Sequence, residues 1–162
     1  MILSAEKIKS LVSEEKLIEG FSEKSLNGAG YDLRVGRFYK IRGDACLGVE
    51  NRILPEADEI KSEEITLKPD EYLLIETQER VHMPKNLMAR ILPRSTLFRA
   101  GCSLITAVVD PGYYGTLTMG LKNLSGSAFR LEKGARIGQI VFEEVAGEAT
   151  SYNGRYQGVK VV

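Results

Sequence analysis

Short runs of alternating apolar and polar residues, each closed by a glycine or proline turn, recur along most of this chain. They restrict its fold more than any other feature. Residues 31–35 (Tyr-Asp-Leu-Arg-Val) and 37–41 (Arg-Phe-Tyr-Lys-Ile) alternate, as do parts of 71–75, 87–91, 116–121 and 136–142. Turn signals separate them at Lys68-Pro69-Asp70, Met83-Pro84-Lys85, Asp110-Pro111-Gly112, Ser125-Gly126 and Glu132-Lys133-Gly134. Alternation places one face of each run in a core, and evenly spaced turns predict an all-β sandwich or barrel rather than βαβ units. One helix stands at the start, over 4–13. Ser4 caps it, Ile8, Leu11 and Val12 share a face, and Gly20 marks its exit. Residues 44–62 read as a polar, irregular insertion loop. A length of 162 residues suits one domain, placed at 1–150, with a flexible tail at 151–162.

Charge and composition remove several functions. The 22 Lys+Arg balance 22 Asp+Glu, so no broad cationic footprint is available for nucleic acid. No run of 18 apolar residues exists to cross a membrane. The opening residues are charged throughout and lack a signal peptide's apolar core, so a cytoplasmic protein is expected. Cys46 and Cys102 are far apart, and His82 is the one histidine. A protein-built zinc site and a Ser-His-Asp triad are both disfavoured, which leaves carboxylates, arginines or a metal carried by the substrate.

Four segments could carry chemistry. Arg90, Arg94 and Arg99 fall close together, with Ser95 and Thr96 following Arg94. Guanidinium, hydroxyls and backbone N–H groups on one turn make an anion cradle, or the arginines simply pair with surface carboxylates. Asp110 ends a β-branched run before Pro111-Gly112, either capping that turn or presenting a carboxylate beside Tyr113. The Gly-rich stretch 27–33 begins a strand or lets backbone approach a ligand. The tail mixes glycines with Tyr152, Arg155, Tyr156 and Gln157 and suits closure over a nucleotide.

In order, Ala29-Gly30-Tyr31-Asp32-Leu33, Pro93-Arg94-Ser95-Thr96-Leu97, Val109-Asp110-Pro111-Gly112-Tyr113-Tyr114-Gly115 and Arg136-Ile137-Gly138-Gln139-Ile140 resemble the superfamily of trimeric dUTPases and dCTP deaminases. The helical start and the tail resemble the deaminase branch. The resemblance implies a distorted β-barrel or jelly roll with an N-terminal helix, a homotrimer, and nucleotide sites at subunit interfaces. It implies that Asp110 activates water against the α-phosphorus of deoxyuridine triphosphate, while Tyr113 lies on the sugar. Arg94, Ser95, Thr96 and Gln139 match phosphate contacts, and Arg99 matches an arginine near the pocket. Arg155, Tyr156 and Gln157 would close over the phosphates, and Asp32 would meet hydrated Mg²⁺ through water. Val159 departs from the glutamine common in the deaminases.

The deaminases carry a glutamate ten residues after the motif aspartate, and Gly120 stands there instead. Glycine cannot shuttle a proton, and losing a general acid/base costs about 10²–10⁴-fold. The expected reaction is therefore hydrolysis of dUTP to dUMP and pyrophosphate. The alternatives are dCTP deamination and a non-catalytic, nucleotide-binding regulatory trimer. Main-chain groups between Val108 and Leu121 would read uracil, and Gly120 marks either a close approach of the base or a β-bulge.

Overall fold

A computed structural model describes residues 1–158 and 161–162, so Val159 lies outside the described residues. The Ser4 hydroxyl accepts from the Lys7 N–H at 3.2 Å and starts α1 (Ala5–Glu15), which buries Ile8 and Leu11. The helix runs past residue 13. It stops at Lys16 in the left-handed conformation (φ 56°), not at Gly20. There follow β1 (Ile18–Glu19), a 3-10 turn (Glu23–Ser25), β2 (Leu26–Asn27), β3 (Gly30–Arg42), β4 (Cys46–Leu47), β5 (Arg52–Ile53), β6 (Glu56–Ile60) and β7 (Glu64–Leu67). The rest comprises β8 (Tyr72–His82), β9 (Leu87–Pro93), α2 (Ser95–Arg99), β10 (Cys102–Ile105), β11 (Val108–Val109), β12 (Tyr114–Asn123), β13 (Phe129–Glu132) and β14 (Arg136–Glu144).

The main sheet runs β10-β12-β8-β3-β14-β9-β11. Its end strands β10 and β11 are joined only by Thr106 and Ala107, a span of at most about 11 Å. The sheet must therefore curl until its edges nearly meet, and the Thr106 hydroxyl donates to Ile91 O at 2.8 Å across the join. This is the expected all-β, distorted-barrel class. Tyr31, Leu33, Phe38, Ile75, Leu121, Ile140 and Phe142 are fully buried inside it.

Three expectations are corrected. The runs 31–35 and 37–41 form one strand, β3, whose register with β8 shifts between Val35 and Arg37. A Cβ on Gly36, at that shift, would lie 2.8 Å from Thr77 O. The segment 44–62 is not wholly irregular: β4 pairs with β5, and β6 adds to β3. The run 71–75 continues to His82, because polar residues share the core face of β8. Thr77 Oγ1 donates to Glu79 O and accepts from Leu117 N, where the β8–β12 register also shifts. Glu79, fully buried, accepts from Tyr31 Oη (3.1 Å), Arg34 N (3.0 Å) and Arg34 Nε (2.6 Å). Thr77 and Glu79 are thus both satisfied, which is what permits them on the core face.

Candidate functional site

Asp110 leaves β11 at the turn that leads into β12. Tyr113 N donates to Asp110 O (3.2 Å), Gly112 N to Met83 O (3.0 Å) and Met83 N to Tyr113 O (2.8 Å). Main-chain bonds therefore hold the turn, and the exposed Asp110 carboxylate is not used as its cap. It stands at a cavity of about 340 Å³ whose walls include Val109, Tyr113, Leu117, Thr118, Gly120 and Tyr156. Tyr113 Oη donates to Thr116 O. Burial, with Tyr152 and Glu76 nearby, pushes its pKa up to about 12, so it serves here as a neutral aromatic wall.

The tail docks on this same turn of its own chain. Tyr152 N donates to Pro111 O (2.7 Å), and the rings of Tyr152 and Tyr113 meet edge-on at 5.6 Å. Gly158 N donates to Tyr114 O at 2.8 Å. The Gln157 amide is held at both ends, accepting from Tyr114 N (3.0 Å) and donating to Gly112 O (3.0 Å). Tyr156, Val161 and Val162 line the cavity. Arg155 is exposed and lines no part of it.

The arginine cradle lies elsewhere. Arg94 precedes α2, a single turn rather than a bare loop, and Ser95, Thr96 and Arg99 are exposed on it. Arg99 lies 5.7 Å from the Phe98 ring centroid. Asp32 is buried on β3, and its Oδ2 meets Arg94 Nε at 3.1 Å and Arg136 Nη1 at 3.5 Å. Gln139 pairs with Asp32 in the β14–β3 register. A Cβ on Gly30 would come within 2.9 Å of the Gln139 side chain, so that glycine makes room for Gln139. Arg94 and Thr96, with Arg130 and Arg136, line a separate 330 Å³ cavity.

No described residue lines both cavities. The register explains the gap. Val109 pairs with Ala89, so Asp110 falls beside Met88, whereas Arg94 follows the far end of β9. At 3.3 Å per residue those positions stand roughly 20 Å apart. One chain therefore brings Asp110, Tyr113, Tyr156 and Gln157 together, and separately Asp32, Arg94, Thr96 and Gln139.

Among the described residues no group of three or more His, Cys, Asp or Glu could hold a metal ion. A carboxylate clamped by two guanidinium groups is a poor resident ligand for a divalent cation, so Asp32 as it stands orients Arg94 rather than fitting a bound metal. His82 Nε2 lies 2.9 Å from Glu19 and its ring packs on Tyr114, occupied structurally.

Sequence reasoning missed three residues. Arg136, in the run Arg136-to-Ile140, reaches Asp32 from β14. Glu76, buried, lies opposite Thr118, accepts from Tyr39 Oη (2.6 Å) and sits 3.8 Å from Arg37. Tyr72 stacks over Gly120, which pairs regularly with Leu74 and Ile105 and is therefore no bulge. Nothing local announces either contact, since both partners come from another strand.

A family model described as dCTP deaminase-like matches residues 2–145. The chain belongs to the dCTP deaminase-like family. Among relatives in it, "dCTP deaminase" of Thermococcus kodakarensis is 42% identical over 150 residues, covering 92% of this chain and 90% of the relative. The "probable deoxyuridine 5'-triphosphate nucleotidohydrolase" of Aeropyrum pernix is 39% identical over 145 residues (88% and 91%). That of Archaeoglobus fulgidus is 30% identical over 164 residues (99% and 98%). The solved 2'-deoxycytidine 5'-triphosphate deaminase of Agrobacterium tumefaciens shares the fold at TM-score 0.72 and 18% identity, over 90% of this chain but 48% of that one. This chain spans about half its length. The dUTPase of Staphylococcus bacteriophage 80alpha superposes at TM-score 0.54 and 18% identity, over 85% of this chain and 95% of that one. The family thus holds relatives named for both reactions. Among the described residues no helix is long and apolar enough to cross a membrane.

Proposed function

We propose that the protein hydrolyses dUTP to dUMP and pyrophosphate. One observation carries the reading: Asp110 stands free at a cavity that Gly120 lines with bare backbone, and among the described residues lining it Asp110 is the one Asp or Glu. Deamination needs a proton shuttle at the pyrimidine, whereas hydrolysis needs a base near the phosphates. The deoxyribose rests against Tyr113, and main-chain groups of β12 read uracil. Asp110 takes the proton of a water that attacks the α-phosphorus in line, and the P–O bond to pyrophosphate breaks.

Arg94, Ser95, Thr96 and Gln139 neutralise the charge growing on the phosphate oxygens. Since Arg94 stands roughly 20 Å from Asp110 along β9, the reading requires a second copy of the chain to bring its cradle to the first copy's cavity, as in a homotrimer with shared sites. Divalent Mg²⁺ enters as part of the substrate, bound to the triphosphate. Asp32, clamped by Arg94 and Arg136, would meet that ion's water only if phosphate displaced both guanidinium groups. The tail, with Arg155 and Tyr156, excludes solvent when it closes.

A second reading, dCTP deamination, is favoured by the name of the 42% identical Thermococcus relative. The acid opposite Thr118, Glu76, is already bound to Tyr39. Incubating the protein separately with dUTP and dCTP plus Mg²⁺ decides. Pyrophosphate from dUTP alone supports hydrolysis, and ammonia from dCTP overturns it. Tight binding without either product points to a regulatory trimer.

A further inference from the structure

Gly120 sits in regular register between Leu74 and Ile105, so its missing side chain is not explained by a bulge. Tyr72 explains it. A Cβ at position 120 would stand 2.5 Å from Tyr72 Oη, 2.9 Å from Cε2 and 3.0 Å from Cζ, closer than carbon atoms pack. Residues 72, 74 and 76 share one face of β8, and Leu74 and Thr118 on that face line the Asp110 cavity with Gly120. Tyr72 is half-buried, and burial alone raises its pKa, with no described residue hydrogen-bonded to its hydroxyl. Its hydroxyl reaches solvent beside the cavity, which Tyr72 does not itself line, and it projects over the strand position that the proposed pyrimidine approaches.

We propose that Tyr72 is a specificity-determining residue: its ring keeps position 120 bare, and its hydroxyl donates to the C4 oxygen of the bound uracil. This rests on the dUTP reading above. The phenol's lone pairs are drawn into its ring, so it donates more readily than it accepts. Uracil offers an acceptor at C4 and gains a bond. Cytosine offers an amino donor there and gains little. Tyr72 thus biases the pocket towards uracil while occupying the space a side chain at 120 would take.

Calorimetric titration of wild type and Tyr72→Phe with a non-hydrolysable imido analogue of dUTP, and with dCTP, tests this beside steady-state kinetics on dUTP. Tyr72→Phe should weaken analogue binding and raise KM by about five- to tenfold, the worth of one hydrogen bond. It should keep kcat within about twofold and leave dCTP affinity unchanged. Gly120→Ala, which displaces the hydroxyl, should reproduce that selective loss. In a Tyr72→Ala background, where the methyl has room, it should add nothing.

Unchanged analogue affinity in Tyr72→Phe, equal losses for both nucleotides, or a fall in kcat at constant KM would each overturn the assignment while leaving the hydrolase reading standing. A wild type that binds neither nucleotide would defeat both together, and melting curves for each variant confirm that the compared proteins are folded.

Discussion

Replacing Gly115 by alanine sets a methyl group against the docked tail. Gly115 has φ 148°, and its Cβ would lie 1.8 Å from Gly158 O, inside the bridge that joins the tail to the turn after Asp110. No side-chain adjustment relieves a backbone clash of that size, so the bridge must open. The bonds at stake are Gly158 N to Tyr114 O, and the Gln157 amide to Tyr114 N and Gly112 O. Tyr114 and Gln157 are exposed, so water competes and each bond contributes about 0.5 kcal/mol, the low end of the usual range. Their loss amounts to roughly 1.5 kcal/mol, or about tenfold in the docked-to-undocked ratio. Tryptic cleavage after Arg155 reports that ratio directly and should quicken by about that factor. Gln157→Ala, which leaves the turn untouched, should quicken it by about fivefold through the loss of its amide bonds alone. Equal cleavage in wild type and both variants would refute the reasoning, because a tail released by neither change is not held by these contacts.

Asp110→Asn keeps the shape of the turn, which main-chain bonds hold, and should cut dUTP turnover by about 10²–10⁴-fold with analogue affinity retained. Unchanged turnover, measured by pyrophosphate release, would remove Asp110 from the chemistry. Glu79→Ala strips Tyr31 and Arg34 of a buried acceptor and should cost about 3–5 kcal/mol in denaturant unfolding, as breaking a buried pair does. At high pH stability should decline. Burial and the Glu76 hydrogen bond hold Tyr39 near 12, and burial does the same for Tyr113, against an ordinary value of 10. The folded state then retains protons that the unfolded chain has lost. Their stabilisation is complete below pH 10 and drains away as pH rises towards about 12. Calorimetric Tm against pH, paired with phenolate absorbance, checks the window.

The sequence was most legible where one face of a strand is uniformly apolar. The Ser4 cap, the alternation in β12 and β14, and the proline and glycine turns all act within a few residues, so local pattern suffices. It failed where polar groups occupy the core face. On β8 that face reads Leu73, Ile75, Thr77, Glu79 and Val81, and the buried carboxylate erases the period beyond Ile75. Glu79 is tolerated only because Tyr31 and Arg34 reach it from β3, a pairing no local window contains. The site divides the same way. Asp110 and Tyr113 stood out because a turn isolates them, while Tyr72 over Gly120 and Arg136 on Asp32 depend on which strands become neighbours. The tail's composition pointed to closure. That its Gln157 grips its own chain's turn follows from distances that composition does not hold.

The length of β9 carries the strongest consequence for assembly. Asp110 lies beside one end of that strand and Arg94 beyond the other, so a phosphoryl group touching the first within one chain is far from the second. Catalysis at a single phosphorus requires both at hydrogen-bonding reach. If a second copy supplies the cradle, inactive Asp110→Asn and Arg94→Ala chains should complement. A site built from a chain with intact Asp110 and a neighbour with intact Arg94 recovers activity. Random mixing in a closed ring produces that pairing at about a quarter of sites. Co-refolded equal mixtures should therefore regain about a quarter of wild-type turnover, while each variant alone stays inactive. A mixture no better than its components, in a preparation shown by light scattering to have exchanged subunits, would place both groups in one chain's site and require β9 to rearrange.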